Sequence, residues 1–264
     1  METIDFHAHC FPDDLAQRAI ERVVSTSPGA KCWTDGTLAG LRTSMRESRV
    51  TKSVVLPVAT RASQVTTINR KAPLLRAQDI IPFGALHPAT HDFDKEISFL
   101  KADRIPGIKL HPEFQNFNMD DPAMFPMYEA LAAAGMIVVF HTGIDPGPFT
   151  NDHSLPCMLK KVHRSFPRLR IVGAHMGGHQ VWDEVEEHLA GLPIYFETST
   201  APSNFPPERF VRLCRRHGIE RILFGTDTPW YDQKYDREWI DACGLTDTEK
   251  EMVLHRNAEQ LLSS

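Results

Sequence analysis

Two imidazoles stand one residue apart in Ile4-Asp5-Phe6-His7-Ala8-His9, an apolar-alternating stretch near the start of the chain. On a β-strand, side chains two positions apart share a face, so His7 and His9 point together while Phe6 and Ala8 turn the other way. Such a pair is half of a site for a zinc-like ion. Two ligands hold nothing tightly, and a His-x-His pair near a terminus also fits two solvated rings. The rest of the site has to come from elsewhere.

Further polar residues close other apolar runs. They are His87-Pro88, Lys109-Leu110-His111-Pro112, His141-Thr142-Gly143, His175-Met176-Gly177-Gly178 and Gly225-Thr226-Asp227-Thr228-Pro229-Trp230. Of thirteen histidines, six fall at the ends of predicted strands, whereas His163, His188, His217 and His255 share no such address. Nitrogen and oxygen ligands must approach a zinc-like ion to about 2.0–2.2 Å. That demand is met most readily by rigid strand ends converging on one mouth.

The elements that would converge follow from patterning. Strands are predicted at Ile4–His9, Ser53–Val58, Ile80–Leu86, Gly107–His111, Met136–His141, Leu169–His175, Ile194–Glu197 and Arg221–Gly225. Between them lie amphipathic segments, among them Leu38–Ser48, Asp94–Lys101, Ala123–Ala134, Met158–Phe166, Gln180–Leu189 and Glu208–His217, several opened by Pro or Asp and closed by Gly. Eight strand-helix repeats over 264 residues predict a single α/β domain, a (β/α)8 TIM barrel spanning residues 1–264, whose usual length is about 250 residues. A doubly wound open sheet is the alternative, but no Gly-rich turn follows strand 1. The tail, Asp236 to Leu262, reads as two or three helical turns closing the barrel. An enlarged loop after strand 1, with Pro12–Ser27, Pro28–Gly36 and the Leu38–Ser48 helix, is either a lid over the site or a surface excursion.

Composition narrows the class of partner. A formal net charge of −5 offers no basic surface for nucleic acid or an anionic membrane, which leaves a small molecule as the substrate. No run approaches the roughly 20 apolar residues that span a bilayer, and the start lacks a signal peptide's pattern, so a cytoplasmic protein is expected. Cys10, Cys32, Cys157, Cys214 and Cys243 are scattered without a C-x-x-C spacing and read as reduced thiols. The sequence leaves a homo-oligomer open.

Taken in order, Asp5-Phe6-His7-Ala8-His9, Gly107-Ile108-Lys109-Leu110-His111-Pro112, Phe140-His141-Thr142-Gly143, Ala174-His175-Met176-Gly177-Gly178 and Phe224-Gly225-Thr226-Asp227-Thr228-Pro229-Trp230 resemble the amidohydrolase superfamily. Within it, they look like the "amidohydrolase 2" branch that includes aminocarboxymuconate-semialdehyde decarboxylase. The resemblance runs from strand 1 to strand 8. It implies a divalent metal, zinc first, held by His7, His9, His141 and Asp227. It implies that His175 polarises or moves a proton beside the metal, or becomes a ligand if a second ion binds. Lys109 occupies the strand where two-ion relatives carry a bridging carbamate, although similar strings occur in one-ion members. His87 and His111 read as supporting, hydrogen-bonded histidines.

The chemistry of such a site is direct. A divalent ion with an open position lowers the pKa of bound water from 15.7 towards roughly 7. Asp227 would take that water's proton and pass it to the leaving group, while His175 helps stabilise the oxyanion. The outcome is a metal-dependent hydrolase acting on an amide, lactone or ester, which is the reading taken first. The alternative is a non-oxidative decarboxylase of a carboxylated aromatic or muconate-type compound, with the proton delivered to carbon. A non-catalytic binding barrel would have lost a ligand type, and all five expected polar positions are present. Arg61, Lys109, His111 and Trp230 are candidate substrate contacts, two cations and a ring suited to a planar acid. Their plainer readings are a surface ion pair, buried hydrogen-bonded groups and a core indole.

Overall fold

Short β-branched runs separated by helix-length segments have the crossovers that parallel pairing requires, with each helix crossing back over the sheet. The computed structural model describes residues 2–27, 29–150 and 152–264 and has this arrangement. Its strands are β1 (Ile4–Ala8), β2 (Lys52–Val55), β3 (Ile80–Pro82), β4 (Gly84–Ala85), β5 (Gly107–Leu110), β6 (Ile137–Phe140), β7 (Arg170–Gly173), β8 (Tyr195–Glu197) and β9 (Ile222–Leu223). Each pairs in parallel with its neighbour in the orders β1-β2-β3 and β4 through β9. The two ends of the sheet meet where Phe6 N–H donates to Phe224 O at 2.7 Å and Asp227 N–H donates to His7 O at 2.7 Å. The fold is the expected TIM barrel.

Strand 3 is one stave in two pieces. Pro82 has no N–H to continue a ladder, and the chain changes partners there: β3 pairs with β2, and β4 with β5. The Ala85 N–H donates instead to Asn69 Oδ1 at 2.9 Å. Strand 2 also ends earlier than expected, at Val55 before Pro57, which leaves the Leu56 carbonyl free to serve the site.

The helices are α1 (Asp13–Thr26), α2 (Leu38–Ser48), α3 (Ala62–Leu75), α4 (Phe93–Ala102), α5 (Pro112–Gln115), α6 (Phe125–Ala134), α7 (Pro156–Ser165), α8 (Trp182–His188), α9 (Ala201–Asn204), α10 (Pro207–His217), α11 (Gln233–Ala242), α12 (Asp247–Glu251) and α13 (Asn257–Ser263). The carboxyl-terminal region is more helical than the expected two or three turns, and α13 closes the bottom of the barrel. Its Ala258 and Leu261 pack with Ile4, Phe6, Val54, Leu56, Phe83, Ile137, Val139, Val172 and Leu223 in the barrel interior. The enlarged connection after β1 holds α1 and α2. Pro28 lies outside the described residues, but beyond it Trp33 N–H donates to Pro229 O at 2.8 Å, and Phe11 meets Trp230 edge-on at 6.4 Å. The excursion therefore rests against the loop that carries Asp227.

Among the described residues, no helix is long and apolar enough to cross a membrane.

Candidate metal centre at the carboxyl rim

The strand alternation expected for β1 holds only in part. Ile4 and Phe6 face the interior, Asp5 faces outward, and then the register slips between Asp5 and Ala8. This irregularity turns His7 inward as well, beside groups from β5 and β8, as bulges next to active sites often do. Asp5 fixes the turn from outside. Its buried carboxylate accepts from His7 N–H (3.0 Å), Thr226 N–H (3.0 Å), Thr226 Oγ1 (2.7 Å) and Gln233 Nε2 (2.7 Å), tying β1 to the segment that presents Asp227. Burial raises the Asp5 pKa to about 6, against those four donors.

Three ligand atoms then converge. His7 Nε2 lies 3.1 Å from His9 Nε2, and Asp227 Oδ1 lies 3.3 Å from the first and 3.0 Å from the second. The protons are elsewhere. His7 Nδ1 donates to Glu197 Oε1 at 2.9 Å, and His9 Nδ1 donates to Leu56 O at 2.6 Å. A carbonyl oxygen can only accept, so neutral His9 has its lone pair on Nε2; the carboxylate dictates the same for His7. With both rings neutral, two nitrogen lone pairs and a carboxylate oxygen face one another, an arrangement that favours the entry of a cation. The residues fit a divalent metal.

Burial keeps His7 well below the ordinary histidine pKa, reinforced by Lys109 and the neighbouring imidazoles, and burial likewise lowers His111, His141 and His175. Neutral rings are what metal binding requires. Lys109 is buried with its Nζ 3.4 Å from His7 Nε2, and burial lowers its pKa to about 8 against the pull of Asp227, Glu197 and Asp145.

His141 stands slightly apart. Its Nδ1 meets His175 Nε2 at 3.0 Å, while its Nε2 is buried without a hydrogen-bond partner, 3.8 Å from Asp145 Oδ2. In ligand-atom spacing it groups with His111 and Asp145, whereas His7, His9 and Asp227 form another group. The His111 ring stacks on it at 4.0 Å; His111 Nδ1 accepts the Phe114 N–H at the start of α5, and its Nε2 faces Asp145 Oδ2 at 3.4 Å. Arg61 is exposed at the N-cap of α3, its N–H donating to Gln64 Oε1. Trp230 is half-buried at the mouth.

Two groups escape a reading of the sequence, and two more are placed by it at a strand end that could line the pocket, without a role. The latter are Glu197 and Ser199 at the end of β8, where a run of only three strand residues leaves the register unreadable. Asp145 follows His141 by one helical turn's spacing, a signal that means little in a loop. His179 is buried, donates from Nδ1 to Ile144 O at 2.6 Å, and lies 5.9 Å from the His175 ring. Its backbone zips the loops after β6 and β7 together: His179 N–H donates to Thr142 O, and Ile144 N–H to His179 O. Gly143, at φ 87°, permits this approach, since a Cβ there would come within 2.2 Å of His179 N.

A parallel barrel with neutral imidazoles, a carboxylate and a buried ammonium gathered at its carboxyl rim is the layout of a barrel enzyme. The chain belongs to the Amidohydrolase family, whose model matches residues 4–263. It is similar to Decarboxylase orsB of Emericella nidulans, 27% identical over 249 residues, covering 79% of this chain and 68% of that protein. It is also similar to the gamma-resorcylate decarboxylase of Rhodococcus jostii, 26% identical over 126 residues, which cover 41% of this chain and 38% of that one. The solved dihydroxybenzoic acid decarboxylase from Polaromonas sp. JS666, with bound manganese and the inhibitor 2-nitroresorcinol, shares the fold at a TM-score of 0.72 and 16% identity, covering 99% of this chain and 97% of that one.

Proposed function

We propose that this enzyme is a metal-dependent, non-oxidative decarboxylase of hydroxylated aromatic carboxylic acids. The reading is carried by the similarity to orsB, which spans most of the chain and joins it to a decarboxylase rather than to a hydrolase. The hydrolase reading, placed first because hydrolysis is the widespread chemistry of the superfamily, becomes the second. His7, His9, His141 and Asp227 would hold a divalent ion. Zinc suits such imidazoles, and the Polaromonas structure contains manganese. The ion, when bound, supplies the positive charge that neutralises the substrate's carboxylate and adjacent oxygen.

The chain's own groups do the rest. Lys109, a buried cation beside His7, attracts an acidic substrate into the mouth, while Trp230 at the edge offers a face to a planar ring. Decarboxylation breaks the ring carbon–carboxyl bond, leaves its electron pair on the ring carbon and replaces the carboxyl group with a proton. Asp227 is the group to hold and deliver that proton, because its side chain is 14% exposed at the cluster, while Glu197 is sealed off and Asp145, 9% exposed, lies beside His111 and His141. His175 is less free to do so, since His141 engages its Nε2. His111 braces the His141 ring and caps α5 through Nδ1, which leaves its Nε2, beside Asp145, as the atom that would contact a substrate.

The test is a substrate panel on protein loaded in turn with zinc and with manganese. Carbon dioxide release from dihydroxybenzoates, with no turnover of lactones, amides or esters, is expected. Hydrolysis of any of the latter with no carbon dioxide from the acids would return the assignment to a hydrolase.

A further inference from the structure

His7 on β1 and His141 at the end of β6 come from well-separated strands, yet their protons trace to one carboxylate. We propose that Glu197 is a positioning residue that sets the tautomer of both, through a direct bond to His7 and a chain running through Ser199 and His175 to His141, so that each ring keeps a bare Nε2 available to a cation. This rests on the reading that His7 and His141 are metal ligands.

The direction of every bond can be worked out from Glu197. Its Oε1 receives the His175 backbone N–H at 2.8 Å and its Oε2 the Ser199 backbone N–H at 2.8 Å; amide groups only donate, so both oxygens are acceptors there, as in a carboxylate. The Ser199 hydroxyl lies 2.7 Å from Oε1 and has one proton to give. Given to the carboxylate, it leaves Ser199 Oγ accepting from His175 Nδ1, 2.7 Å away. His175 Nε2 is then bare and accepts from His141 Nδ1 at 3.0 Å. His141 Nε2 ends the chain with no proton and, buried as it is, with no partner. On the short arm, His7 Nδ1 donates to the same Oε1 at 2.9 Å, and its bare Nε2 faces His9 and Asp227.

The opposite polarity fails at both ends. It would leave a serine lone pair 2.7 Å from a carboxylate oxygen. It would also put a proton on His141 Nε2, where Asp145 Oδ2, at 3.8 Å, is too far to accept it. Gly225 leaves room for the hub, since a Cβ at that position would lie 2.1 Å from Glu197 Oε2.

Ser199→Ala cuts the long arm and leaves the His7 arm intact; Ser199→Thr keeps the hydroxyl; Glu197→Gln disturbs both arms. The metal-loaded protein is titrated with a chelator, and imidazole tautomers are read by 15N NMR with and without the ion. Removing a group that orients a ligand costs about 10–100-fold in metal affinity. Ser199→Ala is expected to lose about that much, Ser199→Thr to recover most of it, and Glu197→Gln to lose at least as much as the alanine variant. His141 should carry its proton on Nδ1 in the parent protein and become a tautomeric mixture in Ser199→Ala. Metal affinity unchanged in Ser199→Ala, or a proton found on His141 Nε2 in the parent protein, would overturn the proposal, and neither result depends on Glu197→Gln folding. His9→Ala lies outside the chain and tests the coordination itself. If it keeps the parent's affinity, the ligand set is wrong, while the His141 tautomer still decides on the relay.

Discussion

The inner faces of the strands change character within two residues. Ile137 and Val139 are sealed in the apolar interior, and the next residue on that face is His141; Tyr195 gives way to Glu197, and Leu223 to Gly225 beneath His7. Below this line the side chains attract one another and contribute the burial that stabilises the fold. Above it polar groups crowd together, and the backbone is strained as well: His175, Met176, Gln180, Thr200 and Asp227 all hold positive φ, from 55° to 66°, in the segments after β7, β8 and β9. Such conformations persist only where the surroundings over-determine them. The lower layer therefore provides stability that the upper layer spends on holding ligands, and the two should respond oppositely to substitution.

Asp227→Asn is the strongest way to test that division. It removes the charge that opposes the ion and the proposed proton carrier together. We expect the bound metal to be lost and turnover to fall by at least about 10²–10³-fold, the usual effect of deleting one electrostatic contact in a reacting site. The metal-free protein should melt no lower than the metal-free parent. A clear drop in that melting temperature would show that the rim carries fold stability after all.

Phe6→Ala should do the reverse. Phe6 is fully buried and meets Phe83 edge-on at 5.9 Å, so truncation leaves a cavity and should cost about 3–5 kcal/mol of stability. Folded molecules should still bind metal, measured per native chain, with near-parental affinity. Since Phe6 is the neighbour of His7, retention of the ion would sharpen the boundary, and its loss would erase it.

Gly225→Ala sits on the boundary and should harm both layers moderately. The added Cβ meets Glu197 Oε2 at 2.1 Å and His7 Cβ at 3.1 Å, so the carboxylate must move. Overpacking of this kind costs about 1–3 kcal/mol. Metal affinity should fall with it, because the displaced oxygen belongs to the group that orients His7. A destabilised variant with parental affinity would separate the steric effect from the coordination.

These contrasts also mark what was legible in the sequence. Each rim histidine is visible because it closes an apolar run, and chain order alone places His7, His9, His141, His175 and Asp227 at strand ends. The slip within β1 is not visible, since alternation assigns Phe6 and His7 to opposite faces and only the pull of Asp5 on the strand-8 segment brings both inward. Glu197 is hidden for the same reason: a strand of three residues carries no usable period. The split of strand 3 had a cue in Pro82, but the acceptor that makes the break tolerable, Asn69, lies on α3, where no local pattern names it. Patterning shows which residues face a common space; it does not show which proton each one keeps.

The smallest expected effect lies outside both layers. Glu249 in the first turn of α12 is held down to about 2, chiefly by the hydrogen bond from Arg215 on α10, 2.7 Å away at Oε1, against an ordinary value of 4.5. A depressed carboxylate contributes stability above its unfolded pKa and loses it as pH falls towards its folded one. Glu249→Gln should therefore melt below the parent at neutral pH, and the gap should shrink through the window from 4.5 down to about 2. The Arg215 side chain is half exposed, at 51%, so water and salt screen the pair. The gap at neutral pH should stay within about 2–4 °C and narrow further in high salt. Neither metal content nor turnover should move at any pH where the protein is folded, because the pair touches no strand end. A change in either would mean that the outer helices, and not the strands alone, set the geometry of the rim.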